Sequence, residues 1–318
     1  MTGAGPVAVA TAADDMTADT VITELNRRGT EVIRFNPADL GTDLLVSARF
    51  GSRPTGPAGQ LRTPSRSADL TGIRSLYWRR PDWPAFDHLD PADARFAAAQ
   101  TRFGLGGTLY SLPNCLFVNH PLRNRAAEHK PLQLAAAQRL GLTVPPTLVT
   151  NDHHDAREFI TAHDQVVFKT LRWTPYQKDG VGMTTWTEPV TAGEIDERIT
   201  VVPHLFQARV DKTADIRVIV AGTRVFAVRI DSDLLDWRLD YSTLAYRPLT
   251  LPSALEKALL AFLEDFHLVS GSFDLALDHD GNHHFLELNP NGQWGWLEDE
   301  TGLPLTSAFA DLLTRGAP

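Results

Sequence analysis

The sequence contains one cysteine, Cys115, among its 318 residues. A single thiol excludes an internal disulfide framework, and its apolar neighbours at 116–118 are more typical of a small core residue than of a nucleophile. Chains without disulfides are usual in reducing compartments, so we expect a cytoplasmic protein. The N-terminus also lacks a basic segment followed by an apolar one, and we therefore expect no secretory signal.

Long apolar runs and excess positive charge are missing too. No run approaches the ~20 residues that a helix needs to cross a bilayer, so we expect no membrane partner. The formal net charge is −9, which argues against a nucleic acid as the partner. Hydrophobic residues make up 43% of the chain, as in ordinary globular proteins, and the length allows two or three small domains.

Helix and strand patterns are interleaved along the whole chain. A strand at 7–10, a helix capped by Thr17 and a strand from Val32 predict a βαβ unit. The segment 51–67, rich in Gly, Pro, Ser and Arg, predicts a mobile loop, whereas 122–140 predicts one long helix. The interleaving indicates an α/β or α+β class. We expect three domains, at residues 1–118, 119–200 and 201–318.

Two alternating segments near the C-terminus, residues 273–277 and 285–289, flank the turn signal Asp280-Gly281. A symmetric hairpin through this turn sets Asp274 directly opposite Glu287, with Asn289 on the same face. The other face should belong to the core, and it carries Phe273, Leu275, Leu277, Leu286 and Leu288.

Two acids directly opposite each other on a sheet destabilise it. A hard cation held between Asp274 and Glu287 would remove that cost, and three oxygen donors on one face suit Mg²⁺. The alternative is an outer face on which water solvates the two carboxylates.

Lys169 ends the apolar segment 166–169, where an ammonium group is costly to bury without an anionic partner. The next residues, 170–185, contain Gly180 and Gly182 and predict a lid over a ligand. Together these features are consistent with phosphate binding, although a lysine on an edge strand that reaches water explains Lys169 equally well. The sequence has no Walker A pattern, which excludes a P-loop.

Arginine also occurs within apolar segments, where burying its charge costs free energy. Arg217 and Arg229 lie in an apolar hairpin pattern, and Arg238 follows Asp236-Trp237. Arg80 and Arg172 are further candidates. A guanidinium binds carboxylate or phosphate through a planar fork, so a cluster of arginines would suit an acidic substrate and a triphosphate. Each arginine taken alone could equally be structural.

The combined motifs resemble the ATP-grasp superfamily and, more closely, its ribosomal-peptide maturases, the microviridin-type or graspetide synthetases. The resemblance covers essentially the whole chain. An E-x-N-P segment with an upstream Asp is shared by the superfamily, whereas the Asp-Trp-Arg and Gly-Gln-Trp elements are more specific to the peptide maturases. The matching segments are 124–130, 140–147, 167–169, 205–210, 215–218, 229–232, 236–238 and 287–294.

The resemblance implies an ATP-grasp fold with an N-terminal Rossmann-like domain, a small central domain and a C-terminal antiparallel-sheet domain. It implies ATP and Mg²⁺ as cofactors. Relatives usually carry an acid where this chain has Ala208, so a side-chain contact from that position is lost. The implied nucleotide-binding residues are Lys130, Lys169, Gln207, Ala208, Arg209, Val210 and Asp215. The implied metal ligands are Asp274, Glu287 and Asn289. The implied catalytic residues are Arg217, Arg229 and Arg238. The implied substrate-binding residues are Arg80, Arg172, Asp231, Asp236, Trp237 and Trp294.

The function implied by the resemblance is ATP-dependent activation of Asp or Glu side chains in a precursor peptide. A Thr, Ser or Lys side chain of the same peptide then closes an ester or amide ring. The resemblance also implies that the chain is a homodimer. Two alternatives remain open at this point: a ligase of free amino acids or a small acid, and a non-catalytic module that binds nucleotide and peptide.

Overall fold

The structure is a computed structural model that describes residues 5–51, 56–172, 174, 176–178, 181–183 and 185–317, without the side chains of 176–178 and 181–183. The first part of the chain forms a four-stranded parallel sheet and a small antiparallel sheet. Its elements are β1 (Val7–Thr11), α1 (Met16–Arg27), β2 (Val32–Phe35), β3 (Leu45–Arg49), β4 (Ala58–Arg62), β5 (Ser67–Asp69), β6 (Ser75–Arg80), α2 (Pro91–Tyr110) and β7 (Leu116–Val118).

The predicted βαβ unit is present, because β1 and β2 pair in parallel on either side of α1. The strand order of the parallel sheet is β2-β1-β6-β7. The N-cap of α1 is Asp15, whose carboxylate accepts from the amide of Ala18 at 3.2 Å. The predicted cap, Thr17, lies inside the helix. Cys115 is a buried core residue, and burial raises the pKa of its thiol to about 12.

The loop predicted for residues 51–67 is wrong at residues 58–62 and at Ser67, whereas residues 63–66 connect two strands as a loop. Residues 58–62 form β4, which pairs antiparallel with β3 and β5. Leu61 is fully buried, and a Cβ at Gly59 would lie 1.8 Å from the carbonyl oxygen of Ser47. One inward-facing leucine and one closely packed glycine are enough to keep this strand in the sheet, although its other residues are small or polar. The composition of the segment does not reveal such a strand.

The middle of the chain forms a four-stranded antiparallel sheet with the order β12-β9-β13-β8. The strand β13 lies beyond residue 200 but pairs with β8 and β9, which lie before it. The division into three domains stays a prediction. The elements of this part are α3 (Pro121–Ala127), α4 (Lys130–Arg139), β8 (Thr147–Thr150), α5 (His153–Thr161), β9 (Val166–Lys169), β10 (Tyr176–Lys178), β11 (Val181–Met183), β12 (Glu188–Val190) and β13 (His204–Ala208).

The single long helix predicted for 122–140 is two helices, α3 and α4, that are separated at Glu128-His129. Pro131 is the physical reason, since proline has no amide hydrogen and is tolerated only in the first turn of a helix. The break makes Lys130 the first residue of α4.

The last part forms a five-stranded antiparallel sheet with the order β16-β15-β14-β17-β18. Residues of one face, including Ile216, Phe273 and Phe285, pack in one core with Leu259 and Phe262 of the helix at residues 253–265. The elements are β14 (Lys212–Ala221), β15 (Arg224–Asp231), β16 (Ala245–Leu249), α6 (Ser253–Asp265), β17 (Ser270–Asp278), β18 (His283–Asn289), α7 (Gly295–Thr301) and α8 (Leu305–Arg315).

The other face of this sheet supplies Ile219, Val228 and Ile230 to a second core, shared with β1, α1 and α8. The C-terminal helix therefore returns to the N-terminal sheet. Among the described helices, none is long and apolar enough to cross a membrane.

Candidate active site

An open cleft lies between the middle sheet and the five-stranded sheet. It brings together residues from five parts of the chain that sequence analysis had assigned separately. The predicted residues that line it are Lys130, Lys169, Gln207, Ala208, Arg209, Val210, Asp236, Trp237, Arg238, Asp274 and Glu287.

The acidic pair lies at the base of the β17–β18 hairpin. Asp274 pairs directly with Glu287, as the hairpin pattern predicted. The amide nitrogen of Asn289 donates to Asp274 Oδ2 at 3.0 Å and to Glu287 Oε1 at 3.2 Å. Three side chains with oxygen donors thus converge on one face of the sheet.

The outer half of the hairpin differs from the symmetric prediction. Leu275 pairs with Phe285 rather than with Leu286, and a bulge between Asp274 and Leu275 restores the predicted register at the acids. The extra residue is Leu286. It was predicted to belong to the core, but it is half-buried and lines the cleft beside Glu287.

Three cationic side chains surround the two acids. Arg217 donates from Nη1 to both oxygens of Asp274, at 2.7 and 2.6 Å. Lys130 Nζ lies 2.8 Å from Glu287 Oε2, and Arg238 Nη1 lies 3.7 Å from Glu287 Oε1.

The pKa values of the two acids shift in opposite directions because their neighbours differ. Burial, reinforced by the charge of Glu287, raises the pKa of Asp274 despite the Arg217 contact. Burial opposes ionisation of Glu287 as well, yet Lys130 and Arg238 hold the pKa of that carboxyl below its usual range. Asp274 is therefore the acid that gains more from an additional cation.

Lys169 projects into the cleft from the end of β9. Its Nζ donates to Gln207 Oε1 at 2.7 Å, and Gln207 Nε2 in turn donates to Thr147 Oγ1 at 2.9 Å. Burial lowers the pKa of Lys169 to about 8, with the positive charges of Lys130 and Arg238 adding to this effect. An ammonium group that shares its site with other cations is poised to bind an anion.

The segment 208–210 forms one wall of the cleft and leaves the middle sheet. The amide groups of Ala208 and Arg209 already donate to the carbonyls of Pro146 and Gln165, at 2.8 and 2.9 Å. A nucleotide contact from this segment would then come from Val210 or from carbonyl oxygens.

The Asp236-Trp237-Arg238 element is a short 3₁₀ turn at the cleft wall. Asp236 is 5% exposed and accepts from Arg238 Nε and Nη2 at 2.8 and 2.7 Å. Although burial opposes it, this contact lowers the pKa of Asp236. Asp236 thus orients Arg238 towards Glu287, while Trp237 packs against Tyr241 and Trp296.

Sequence analysis missed Lys212, which lines the cleft at the start of β14. Its Nζ donates to Asp215 Oδ2 at 2.6 Å and to the carbonyl of Leu235 at 2.9 Å. Asp215 itself lies beneath this lysine, outside the cleft lining, and burial raises its pKa to about 6 even though Lys212 opposes the shift. The sequence contains no signal for this contact, because positions i and i+3 of a regular strand face opposite sides. A register shift between Lys212 and Ala214 brings the two side chains together.

Arg229 and Asp231 are not brought to the site. Arg229 pairs with Ile216 on the strand ladder, so it shares the α6 face, opposite to Arg217 and Asp274. There Arg229 Nε donates to Asp231 at 2.7 Å, and Arg247 contacts the same carboxylate. Sequence analysis assigned Arg217 and Arg229 to the same site. The alternation of side chains does not show which face Arg229 lies on, because the turn between the two residues has an unknown geometry.

The remaining predicted substrate residues lie outside the cleft lining. Trp294 is 2% exposed and stacks on Phe309 with 4.7 Å between ring centroids, so it is a core residue. Arg172 contacts Glu128 at 3.1 Å, and the exposed Arg80 lies 3.4 Å from the carbonyl of Asn291. The lid predicted for 170–185 falls partly outside the described residues, which omit 173, 175, 179, 180 and 184.

No family model and no curated protein matches the chain. Among solved structures, a RiPP-associated ATP-grasp ligase of Chryseobacterium gregarium, in complex with ADP and a leader and core peptide, is 28% identical with a TM-score of 0.88. The match covers 98% of this chain and 97% of that one. The chain has the fold and architecture of an ATP-grasp ligase.

Two macrocyclases of Microcystis aeruginosa MRC are also similar to this chain. MdnC, bound with precursor peptide MdnA, is 26% identical with a TM-score of 0.87 over 97% of this chain and 99% of that one. MdnB is 27% identical with a TM-score of 0.78 over 98% and 99%. The resemblance to ATP-grasp ligases of ribosomal peptides, predicted from the sequence motifs, is confirmed.

The residues of the cleft also fit a hard cation. The donor set is two carboxylates and one amide, and such oxygen ligands suit Mg²⁺. Burial and the nearby Glu287 raise the pKa of Asp274, so a cation at this point would stabilise the ionised form. Among the described residues there is no group of three or more His, Cys, Asp or Glu side chains that would offer an alternative metal site.

Proposed function

We propose that the protein is an ATP-dependent ligase that closes rings in a ribosomal precursor peptide. ATP phosphorylates an Asp or Glu side chain of the peptide, and a Thr or Ser hydroxyl or a Lys amine of the same peptide attacks the acyl phosphate. An ester or amide, ADP and phosphate result. The observation that carries the proposal is the cation-rimmed acidic pair in the cleft of a chain that matches peptide-bound ligases over 97–98% of its length.

The nucleotide would occupy the cleft along the segment 208–210. Lys130 and Lys169 line the cleft on the side of the acids, and we expect them to bind the phosphates. Lys212, held by Asp215, adds a third cation on the same side as the 208–210 wall. The three lysines would neutralise a polyphosphate that a single lysine cannot.

Asp274, Glu287 and Asn289 would hold Mg²⁺, which supplies charge neutralisation for phosphoryl transfer when it is bound. Arg217 and Arg238 are fixed by their bonds to Asp274 and Asp236, so their guanidinium groups do not reorganise during the reaction. Such fixed charges stabilise a developing negative charge more effectively than mobile ones. Arg80, at the exposed end of β6, would bind the carboxylate of the incoming peptide.

The test is incubation of the protein with Mg²⁺-ATP and the short precursor peptide encoded next to it. Mass spectrometry should show the loss of one water mass per link, together with release of ADP. Glu287→Gln should reduce the rate by about 10²–10³-fold, because the substitution removes the charge at the centre of the site.

Asp265→Asn is the matched control. It neutralises an acid that pairs with Arg139 on the surface of α6, away from the cleft, and should leave the rate unchanged. ADP release with free amino acids but with no peptide would replace the proposal with a small-substrate ligase. Peptide binding without any turnover would leave only a binding module.

We also propose that the protein forms a homodimer, as the resemblance implies. The outer face of α2 carries Phe96 and Phe103, two helical turns apart and 66% and 83% exposed. Exposed apolar residues at this spacing are typical of an interface. Light scattering should give twice the chain mass, and Phe103→Asp should give the mass of a single chain.

A further inference from the structure

The N-terminal part of the chain contacts the active site through one buried arginine. Arg79, next to the last residue of β6, is 1% exposed. Its Nη1 donates to the carbonyl of Asn291 at 2.7 Å, and its Nη2 donates to the side-chain oxygen of Gln293. Asp15 Oδ2 lies 3.6 Å from Arg79 Nε and provides the compensating charge.

The loop that Arg79 holds, residues 291–293, also contacts Arg217 directly. The carbonyl of Gln293 accepts from Arg217 Nη2 at 3.1 Å. Gly292 packs so closely that a Cβ there would lie 2.7 Å from Arg217 Nη2 and 2.5 Å from the Cβ of Ser272. The position of the loop therefore determines the position of the Arg217 guanidinium.

Arg217 in turn holds Asp274 through two short bonds from the same nitrogen. A continuous series of contacts thus runs from Asp15 through Arg79 and the 291–293 loop to Arg217 and Asp274. The side chains of Asp15, Arg79 and Arg217 are buried, and those of Gln293 and Asp274 are partly buried, which limits the freedom of each member to move independently.

This polar series is not needed to join the N-terminal sheet to the rest of the chain. The apolar core that includes Val7, Ile219, Trp294 and Phe309 already joins them. Burying a guanidinium beside that core costs free energy that an apolar residue would not. The cost is explained if Arg79 fixes the position of the 291–293 loop instead of adding buried contact area.

We propose that Arg79, together with Asp15 and Gln293, is a positioning element for Arg217, so that the N-terminal part of the chain controls the active-site geometry. The consequence for turnover rests on the proposed function, but the geometry does not. A displacement of Arg217 by about 1 Å would be enough to reduce the rate about 10²-fold.

The geometric arm of the test needs no substrate. The Nε of Arg217 is buried, so its N–H signal should be observable in ¹H–¹⁵N spectra and assignable by its absence in Arg217→Lys. Arg79→Lys and Gln293→Met should both shift this signal. Arg74→Lys is the matched control, because Arg74 also crosses to the C-terminal helix, at 2.7 Å from the carbonyl of Thr314, without contacting the loop.

The kinetic arm compares ADP release with the affinity for fluorescent ADP. Arg79→Lys and Gln293→Met should lower kcat about 10²-fold and leave the Kd for ADP within about twofold, because the nucleotide cleft is untouched. Arg74→Lys should retain the wild-type kcat. If Arg79 has a purely structural role, Arg79→Lys and Arg74→Lys should both lower the thermal stability and should have equal effects on kcat.

Gly292→Ala provides a test that does not disturb Arg79. Its Cβ meets both Ser272 and Arg217, and the double variant Gly292→Ala with Ser272→Gly removes only the first clash. We expect the double variant to keep the low kcat and the shifted Arg217 signal, with Ser272→Gly alone as the reference.

Recovery of the wild-type kcat in this double variant would overturn the proposal. An unshifted Arg217 N–H signal in Arg79→Lys would overturn it as well. If the wild-type protein releases no ADP with any peptide, the proposed function fails while the spectra still decide the positioning role.

Discussion

Lys130 and Glu287 show how the cleft balances its charges. The resemblance assigns Lys130 to phosphate and Glu287 to metal, yet the two side chains form an ion pair at 2.8 Å. The same lysine lowers the pKa of the glutamate, so the acid is ionised over the whole physiological range. A nucleotide that binds Lys130 through its phosphates must therefore weaken an existing ion pair, which ties the two assignments together.

At the same scale, nucleotide affinity should depend on pH through Lys169. Burial lowers its pKa to about 8, so the side chain is charged below pH 8 and loses its proton above it. The Kd for ADP should be constant from about pH 6 to 7.5 and should then rise by up to about tenfold per pH unit. Calorimetric titration at several pH values measures this.

Lys169→Arg is the control for this pH dependence. An arginine keeps its charge at every pH of the series, so the rise in Kd should disappear. Equal pH profiles for the two proteins would show that Lys169 does not contact the phosphates.

The β17–β18 hairpin makes a prediction at the scale of the element. The sequence assigned Leu286 and Leu288 to one core face, whereas the bulge turns Leu286 into the cleft and leaves Leu288 2% exposed in the core. Leu288→Ala should reduce the free energy of unfolding by about 2–5 kcal/mol.

Leu286→Ala should cost less than half as much stability but should weaken ADP binding, because the cleft loses apolar wall. Urea unfolding and fluorescence titration of both variants would distinguish the two sites. Equal losses of stability would contradict the position of the bulge.

Much of this element was predictable from the sequence, and the exceptions have local causes. Alternation and Asp280-Gly281 were sufficient to pair Asp274 with Glu287. They could not reveal the bulge, because one inserted residue leaves the pattern on each side intact. The same limitation explains Arg229, which a turn of unknown geometry separates from Arg217. The break at Glu128, in contrast, was visible in the sequence, because Pro131 cannot lie in the interior of a helix.

For the whole molecule, the core around Trp294 decides how the parts stay together. Trp294 and Phe309 are stacked in a cluster that contains residues of β1, α1, β14 and α8. Trp294→Ala should reduce the free energy of unfolding by about 3–5 kcal/mol. Trp294→Phe should retain most of the stability and the wild-type rate of ADP release, since the residue has a packing role.

Differential scanning calorimetry and the ADP assay measure the two effects. A Trp294→Phe variant that folds normally but has lost its activity with the peptide would restore the substrate role that sequence analysis gave this residue.

The bulge at Leu286 has a consequence for redesign of the molecule. It separates the hairpin into a base, whose pairing holds Asp274 against Glu287, and a tip at residues 279–282 that has its own register. The length of the tip is therefore independent of the alignment of the base. A peptide tag or a fluorescent amino acid inserted between Asp278 and His283 would report on the cleft from outside it without moving the acidic pair.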